Sequence, residues 1–355
     1  MDKKKIAFPR FSHYNLVIKY FIEHGLEQTY IMQPDMTRRT MELGSKYSPD
    51  TVCTPFKSTL GSMIEALDAG ADTIIMTYGY CRLGYYGEIQ KNILKNLGYE
   101  CDFIDLAEYT TGKKKDYLKA LKRIAPHYKP VRLAAVAAES LKMAEYLDEF
   151  EEDYYKVCGF EEKKGSCRYI REKFYRELMT AAGRKDIDAA YHKAKDALRQ
   201  VPLMKTECPL RVGIIGEYFT VQDAFSNSGL EQKLADLHVE VHRWMNLTHR
   251  NLHYGGEKNL NVSIKEYCTY EMGPTSTANI WCAKKYAEEG FDGIIHVKSA
   301  GCTPEIDIMP VLQNIGNDYK IPILYLTYDS QTSDTGLMTR IEAFYDMIAM
   351  RRKVI

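Results

Sequence analysis

Two copies of Cys-Thr-Pro, at Cys53-Thr54-Pro55 and Cys302-Thr303-Pro304, and a third cysteine, Cys81, in the run DTIIMTYGYC, carry the types and spacing that could do thiol or metal chemistry. In the second copy Thr303 suits a helix N-cap and Pro304 a first helical residue, so Cys302 stands at a helix mouth; Cys53 heads a helix in the same way. Unpaired backbone N–H groups and the helix dipole favour a thiolate there. Cys302 follows the apolar run Gly293 to Val297, which is too short for a helix and is punctuated by Gly301 and Pro304, so it reads as a buried parallel strand. Cys81 follows a similar run, Thr73 to Thr77. Three thiolates suit a soft metal or an iron–sulfur cluster, and a cubane held by three cysteines keeps one iron open to water or substrate. Each cysteine alone reads as a small buried residue. The repeated motif and the matched strand ends put a shared site on an equal footing with that reading.

The elements that must position these thiols alternate strand and helix. Strands are expected at Lys5 to Phe11, Gln28 to Met32, Thr73 to Thr77 and Cys101 to Leu106, with helices between, including one that runs from Pro55 to a stop at Gly70. A second alternating stretch opens at Arg211 and closes with a helix over Thr335 to Met350. Between them the chain is charged and helix-forming, broken at Gly159, Gly165 and Gly183. The expected architecture is α/β: two lobes with parallel sheets, 1–112 and 208–355, joined by a helical middle region, 113–207. AGADTII and EGFDGII form a weak repeat between the lobes. Ligands of open α/β sheets bind beyond the carboxyl ends of the strands, so two facing lobes would bring the three thiols to one cleft.

Other residues invite chemistry less strongly. Glu305 lies in the first helical turn after Cys302, where the dipole alone favours a carboxylate, yet it is a candidate acid or base. Tyr80, Tyr85 and Tyr86 can pack the site or donate hydrogen bonds to it, and YDSQTSDT, Tyr328 to Thr335, is expected to form part of the cleft wall. Cys101 and Cys282 read as core, while Cys158, Cys167, Cys208 and Cys268 lack the context of the trio. His249 and His253 are a poor zinc pair on a broken helix, His238 and His242 read as surface, and His296 as core. TGKKKD and VGIIGEY are neither a Walker A loop nor a dinucleotide fingerprint, so ATP hydrolysis is not expected of this chain. The 48 basic and 48 acidic residues balance, which speaks against nucleic acid or a membrane surface as partner. Nine cysteines without any C-x-x-C, no spanning segment and no signal-peptide pattern lead to the expectation of a cytoplasmic protein with reduced thiols.

The run Gly290 to Asp346, with GCTPEIDIMPVL and IPILYLTYDSQTSDTGLMTRIEAFYDM, resembles the C-terminal signature of the 2-hydroxyacyl-CoA dehydratase family, and CTPFKSTLGS and DTIIMTYGYC are similar to its N-terminal parts. The resemblance implies flavodoxin-like lobes around an oxygen-sensitive iron–sulfur cluster with Cys53, Cys81 and Cys302 as ligands. It also implies an ATP-hydrolysing iron–sulfur activator that injects a low-potential electron, and an acyl-CoA substrate. An open iron would take the thioester carbonyl as a Lewis acid, one electron would make a ketyl radical, and Glu305 or a tyrosine such as Tyr80 would protonate the departing hydroxide. Family dehydratases use two related subunits, so a second subunit or a homodimer is implied. Related proteins carry a double-cubane 8Fe–9S cluster and reduce small molecules; a 4Fe–4S cluster is preferred here because no further cysteine has a comparable context. A non-catalytic electron-transfer or assembly partner of the activator is a third reading.

Overall fold

The computed structural model describes residues 3–76, 86–106, 114–206, 208–248, 257–270, 272–329, 332 and 334–354. In the first part of the chain come β1 (Lys5–Ala7), α1 (Tyr14–Tyr20, continued by a π-helical turn over Phe21–Gly25), β2 (Thr29–Tyr30), α2 (Arg38–Tyr47), α3 (Thr54–Asp68), β3 (Thr73–Met76), α4 (Tyr86–Asn96), β4 (Asp102–Asp105) and α5 (Lys114–Ile124). Three long helices follow, α6 (Pro130–Val157), α7 (Ser166–Met179) and α8 (Arg184–Arg199). The last part holds β5 (Leu210–Gly216), α9 (Tyr218–Gln222), α10 (Leu230–Asp236), β6 (Val239–His242), α11 (Glu257–Ser263), α12 (Pro274–Glu288), β7 (Gly293–Ser299), α13 (Thr303–Asp307), α14 (Met309–Asp318), β8 (Ile323–Tyr328) and α15 (Asp334–Val354). The strands form two four-stranded parallel sheets of one topology, β2-β1-β3-β4 and β6-β5-β7-β8, the α/β architecture expected of two Rossmann-like lobes. By its internal contacts the chain divides into two units, 1–144 with 175–188, and 145–174 with 189–355, so the divisions fall within α6, α7 and α8.

Both faces of the first sheet are covered, as a parallel sheet requires. Alternate residues feed opposite cores: Ala7, Ile74, Met76 and Phe103 pack with Phe56, Leu60 and Met63 of α3, whereas Ile6, Ile75 and Ile104 pack with Ile22, Leu26 and Ile124. This period of two is why the strands read as unbroken apolar runs. In α2 and α3, Gly44 and Gly61 let the backbones nearly touch: a Cβ on Gly44 would lie 1.7 Å from the Lys57 carbonyl oxygen, and one on Gly61 1.9 Å from that of Thr40. That contact fixes α3, and with it the helix start at Cys53.

The weak sequence repeat has a structural job. Helices α3 and α12 are both 15 residues long and lie 220 positions apart (274 − 54 and 288 − 68). Each ends in the same αL glycine arrangement: Gly70 has φ 95° and the Ala71 amide donates to the Ala66 carbonyl (3.0 Å), while Gly290 has φ 70° and the Phe291 amide donates to that of Tyr286 (3.0 Å). The aspartate that follows pins the start of the neighbouring strand. The Lys5 amide donates to Asp72 (3.1 Å), and the Arg211 amide to Asp292 (2.7 Å). The return bonds run from the aspartate amides to the Lys5 and Arg211 carbonyls, both 2.9 Å.

Candidate functional site

Strand order reverses between β5 and β7, and the carboxyl ends of these strands form the crevice where such sheets bind ligands. At the end of β7 the chain turns through Ala300 and Gly301, the latter at φ 76°, a backbone state that favours glycine. The Ala300 amide donates to the Tyr328 carbonyl at the end of β8 (2.7 Å), and the Cys302 amide to Ser299 (3.1 Å). Cys302 is itself the N-cap of α13, with extended φ −76° and ψ 99°, and Thr303 and Pro304 are the first helical residues, one position earlier than the sequence suggested. The Ile306 amide already bonds the Cys302 carbonyl (3.1 Å), which starts the helix at Thr303. Helix α13 has only five residues. The dipole argument for a thiolate is therefore weaker at Cys302 than at Cys53, whose helix has fifteen.

Beneath the Cys302 turn lies a polar lock sealed from solvent. Glu305, His296 and Asn279 are all 0% exposed. The Glu305 carboxylate meets His296 Nε2 at 2.7 Å and accepts from Asn279 Nδ2 at 2.9 and 3.0 Å. Asn279 also receives the Gly216 amide (2.7 Å) and donates to its carbonyl (3.2 Å), which ties α12 to the end of β5. His296 sits edge-on to Tyr325 of β8, 5.6 Å between centroids, and its Nδ1 has no hydrogen-bond partner among the described residues. Glu217 follows β5 as N-cap of α9, accepting from the Phe219 and Thr220 amides, both 2.9 Å. Burial pushes its carboxyl above the ordinary value, outweighing the hydrogen bonds it accepts, and the nearby Glu305 adds in the same direction.

Cys53 is the N-cap of α3, half-buried and extended (φ −67°, ψ 159°), with Thr54 and Pro55 opening the helix. Its sulfur lies 3.1 Å from the Tyr86 hydroxyl at the start of α4. The two Cys-Thr-Pro motifs are not topological twins. Counting by 220, Cys53 corresponds to Gly273, the N-cap of α12. Cys302 follows the third strand of its sheet, as Cys81 follows the third strand of the other in sequence. Thr-Pro starts a helix wherever it falls, so the shared tripeptide marks a local helix start rather than a repeated site.

Cys81, Tyr80 and Tyr85 lie outside the described residues, as do His249 and His253. Cys53 and Cys302 belong to different units. Among the described residues no group of three His, Cys, Asp or Glu side chains gathers as a metal site, and none of the eight described cysteines forms a disulfide. Burial drives the Cys158 thiol up to about 12 and those of Cys167 and Cys282 still higher, which makes them poor thiolates. Cys208 is exposed, and the Cys268 thiol donates to the Tyr270 carbonyl (2.9 Å). His238 is exposed, but His242 is buried rather than on the surface, held by Glu240 (2.7 Å) and covered edge-on by Phe291. The part of the Tyr328 to Thr335 loop that is described folds back through Thr332 Oγ1, which receives the Asp329 amide (2.8 Å). Sequence reasoning did not single out Asn279 or Glu217. The one signal for Asn279 was a carboxamide inside the otherwise helix-compatible STANIW, and Glu217 was recognisable only as the residue after a strand.

Cys53 and Cys302 each stand at a helix start and form no disulfide, and a thiol of that kind is the soft donor that iron or another thiophilic metal takes. Residues 262–348 match the family model of 2-hydroxyglutaryl-CoA dehydratase, D-component. The matched segment contains Asn279, His296, Cys302 and Glu305 and bears out the resemblance drawn from Cys302 to Glu305 and Asp329 to Phe344. Comparison with curated proteins finds no match. No helix among the described residues is long and apolar enough to cross a membrane.

Proposed function

We propose that this chain, a 2-hydroxyacyl-CoA dehydratase-type component by its match over residues 262–348, works in the cytoplasm as the cluster-bearing part of such a system. In this reading Cys53, Cys81 and Cys302 are the thiolate ligands of a 4Fe–4S centre, and an ATP-hydrolysing iron–sulfur activator delivers one electron before a 2-hydroxyacyl-CoA loses water. When bound, such a centre supplies a Lewis-acidic iron and a low-potential electron. The observation that carries the reading is the Cys302 turn, which presents a thiol at the switch-point edge inside the matched segment. Glu305 is sealed against His296 and Asn279, so its role is to hold that turn rather than to meet substrate. Tyr80 is then the proposed proton donor to the departing hydroxyl. Among the described cysteines only Cys53 and Cys302 cap a helix start, which favours a three-thiolate cubane completed by Cys81 over an 8Fe–9S double cubane.

Anaerobic purification tests this directly. A single cubane gives about four irons and four sulfides per chain, and a double cubane about eight irons. Cys53→Ala and Cys302→Ala are each expected to lose the cluster; full iron in both variants sinks the ligand assignment. A cluster without turnover of any 2-hydroxyacyl-CoA, when activator and ATP are supplied, points instead to a non-catalytic electron-transfer partner.

A further inference from the structure

The contact between Cys53 and Tyr86 is built from several sides. The Tyr86 hydroxyl lies 3.1 Å from the Cys53 sulfur, and its ring, 7% exposed, stands edge-on to Phe56, 4.8 Å between centroids. Phe56 is in the first turn of α3, so one ring pair spans the two helix starts. A second tie runs parallel to it: the fully buried Gln90 of α4 donates to the Phe56 carbonyl (3.1 Å) and the Thr59 hydroxyl (2.8 Å). The start of α4 is seated on the end of β4, because a Cβ on Gly87 would lie 2.0 Å from Asp105 Oδ2, and only glycine allows that approach. Ring, carboxamide and glycine together hold one hydroxyl against one sulfur.

We propose that the Tyr86 hydroxyl donates a hydrogen bond to the Cys53 sulfur in the metal-loaded protein and thereby makes the centre easier to reduce. This rests on the reading of Cys53 as a ligand. A coordinating thiolate has no S–H and can only accept, so the direction of the bond is set by chemistry. Hydrogen bonds to ligand sulfurs tune the potential of iron–sulfur centres, and a donor stabilises the more electron-rich, reduced state. Tyr86 is thus a positioning and tuning residue, not a group that meets substrate.

The test uses the full chain, loaded anaerobically, with the midpoint potential followed by electron paramagnetic resonance. Tyr86→Phe removes one oxygen and keeps the ring on Phe56. It is expected to retain wild-type iron and sulfide and to disfavour reduction by roughly tenfold, which is about 59 mV for one electron. Electron–nuclear double resonance in D2O should show that one exchangeable proton coupled to the centre is lost in the variant. Should Tyr86→Phe not fold, 3-fluorotyrosine placed at position 86 is a stronger donor and shifts the midpoint in the opposite direction, which a merely structural role does not do. Retained iron with an unmoved midpoint in the variant, or no shift with 3-fluorotyrosine, overturns the inference. Wild-type protein that takes up no iron, or full iron in Cys53→Ala, overturns the ligand reading beneath it, and the inference falls with that reading.

Discussion

Truncating Glu305 to alanine gives a direct measure of the lock under the Cys302 turn. The carboxylate is 0% exposed and is approached by two donors, His296 Nε2 at 2.7 Å and Asn279 Nδ2 at 2.9 Å. Removing it leaves His296 Nε2 without its acceptor and strips Asn279 Nδ2 of one of its two, the Gly216 carbonyl remaining, in a site closed to water; at about 1–3 kcal/mol for each lost bond, about 4 kcal/mol is the upper end of the expected loss of stability. Glu305→Gln keeps one carbonyl oxygen and the shape, and should cost about half of that. Denaturant unfolding of the apo chain, read at the transition that contains residues 189–355, checks the numbers, and iron uptake checks the consequence for Cys302. If Glu305 holds the turn, iron retention falls in the same order as stability. A cost under about 1 kcal/mol for Glu305→Ala, or equal costs for the two variants, refutes the argument. So does Glu305→Gln of wild-type stability and iron content but no turnover, which marks an acid in contact with substrate.

Glu217 has a folded-state pKa raised by burial above its ordinary 4.5, so the folded state binds the proton more tightly than the unfolded state. Its contribution is fully present below the ordinary value and is lost as pH rises toward the folded one. Glu217→Gln does not titrate; relative to wild type it should therefore be least favourable in acid and improve as pH rises through that window, and an unchanged difference in unfolding free energy across it counts against burial as the cause. Gly44→Ala drives a methyl into the Lys57 carbonyl, 1.7 Å away, so the helices must separate. A loss of about 1–3 kcal/mol or more is expected, with reduced iron uptake at the adjoining Cys53, and wild-type melting would show that α2 and α3 are not held by this contact.

Much of the scaffold was legible in the sequence because a buried parallel strand is a short apolar run whatever surrounds it. Ile74, Ile75, Ile294 and Ile295 announced the third strand of each sheet, and Gly70 the helix stop before the first of them. Cys-Thr-Pro announced two helix starts, each in error by one residue, because backbone geometry and not the threonine hydroxyl decides the cap and leaves the cysteine there. His242 was misread because strand alternation says which residues share a face, not whether an aromatic such as Phe291 will cover it.

What the sequence determined by itself was the order and type of the elements and the short list of thiols, since these follow from local spacing and residue chemistry. What only the tertiary structure decided was partnership. Tyr86 with Cys53 spans 33 positions, and Asn279 with Glu305 spans 26. No periodicity links such residues. They meet because parallel crossovers return successive strand ends to one edge of a sheet, and a buried carboxylate or sulfur takes whatever donor that edge supplies. The two Cys-Thr-Pro motifs, identical in local chemistry, differ in place: one heads the helix that precedes the third strand of its sheet and the other the helix that follows it.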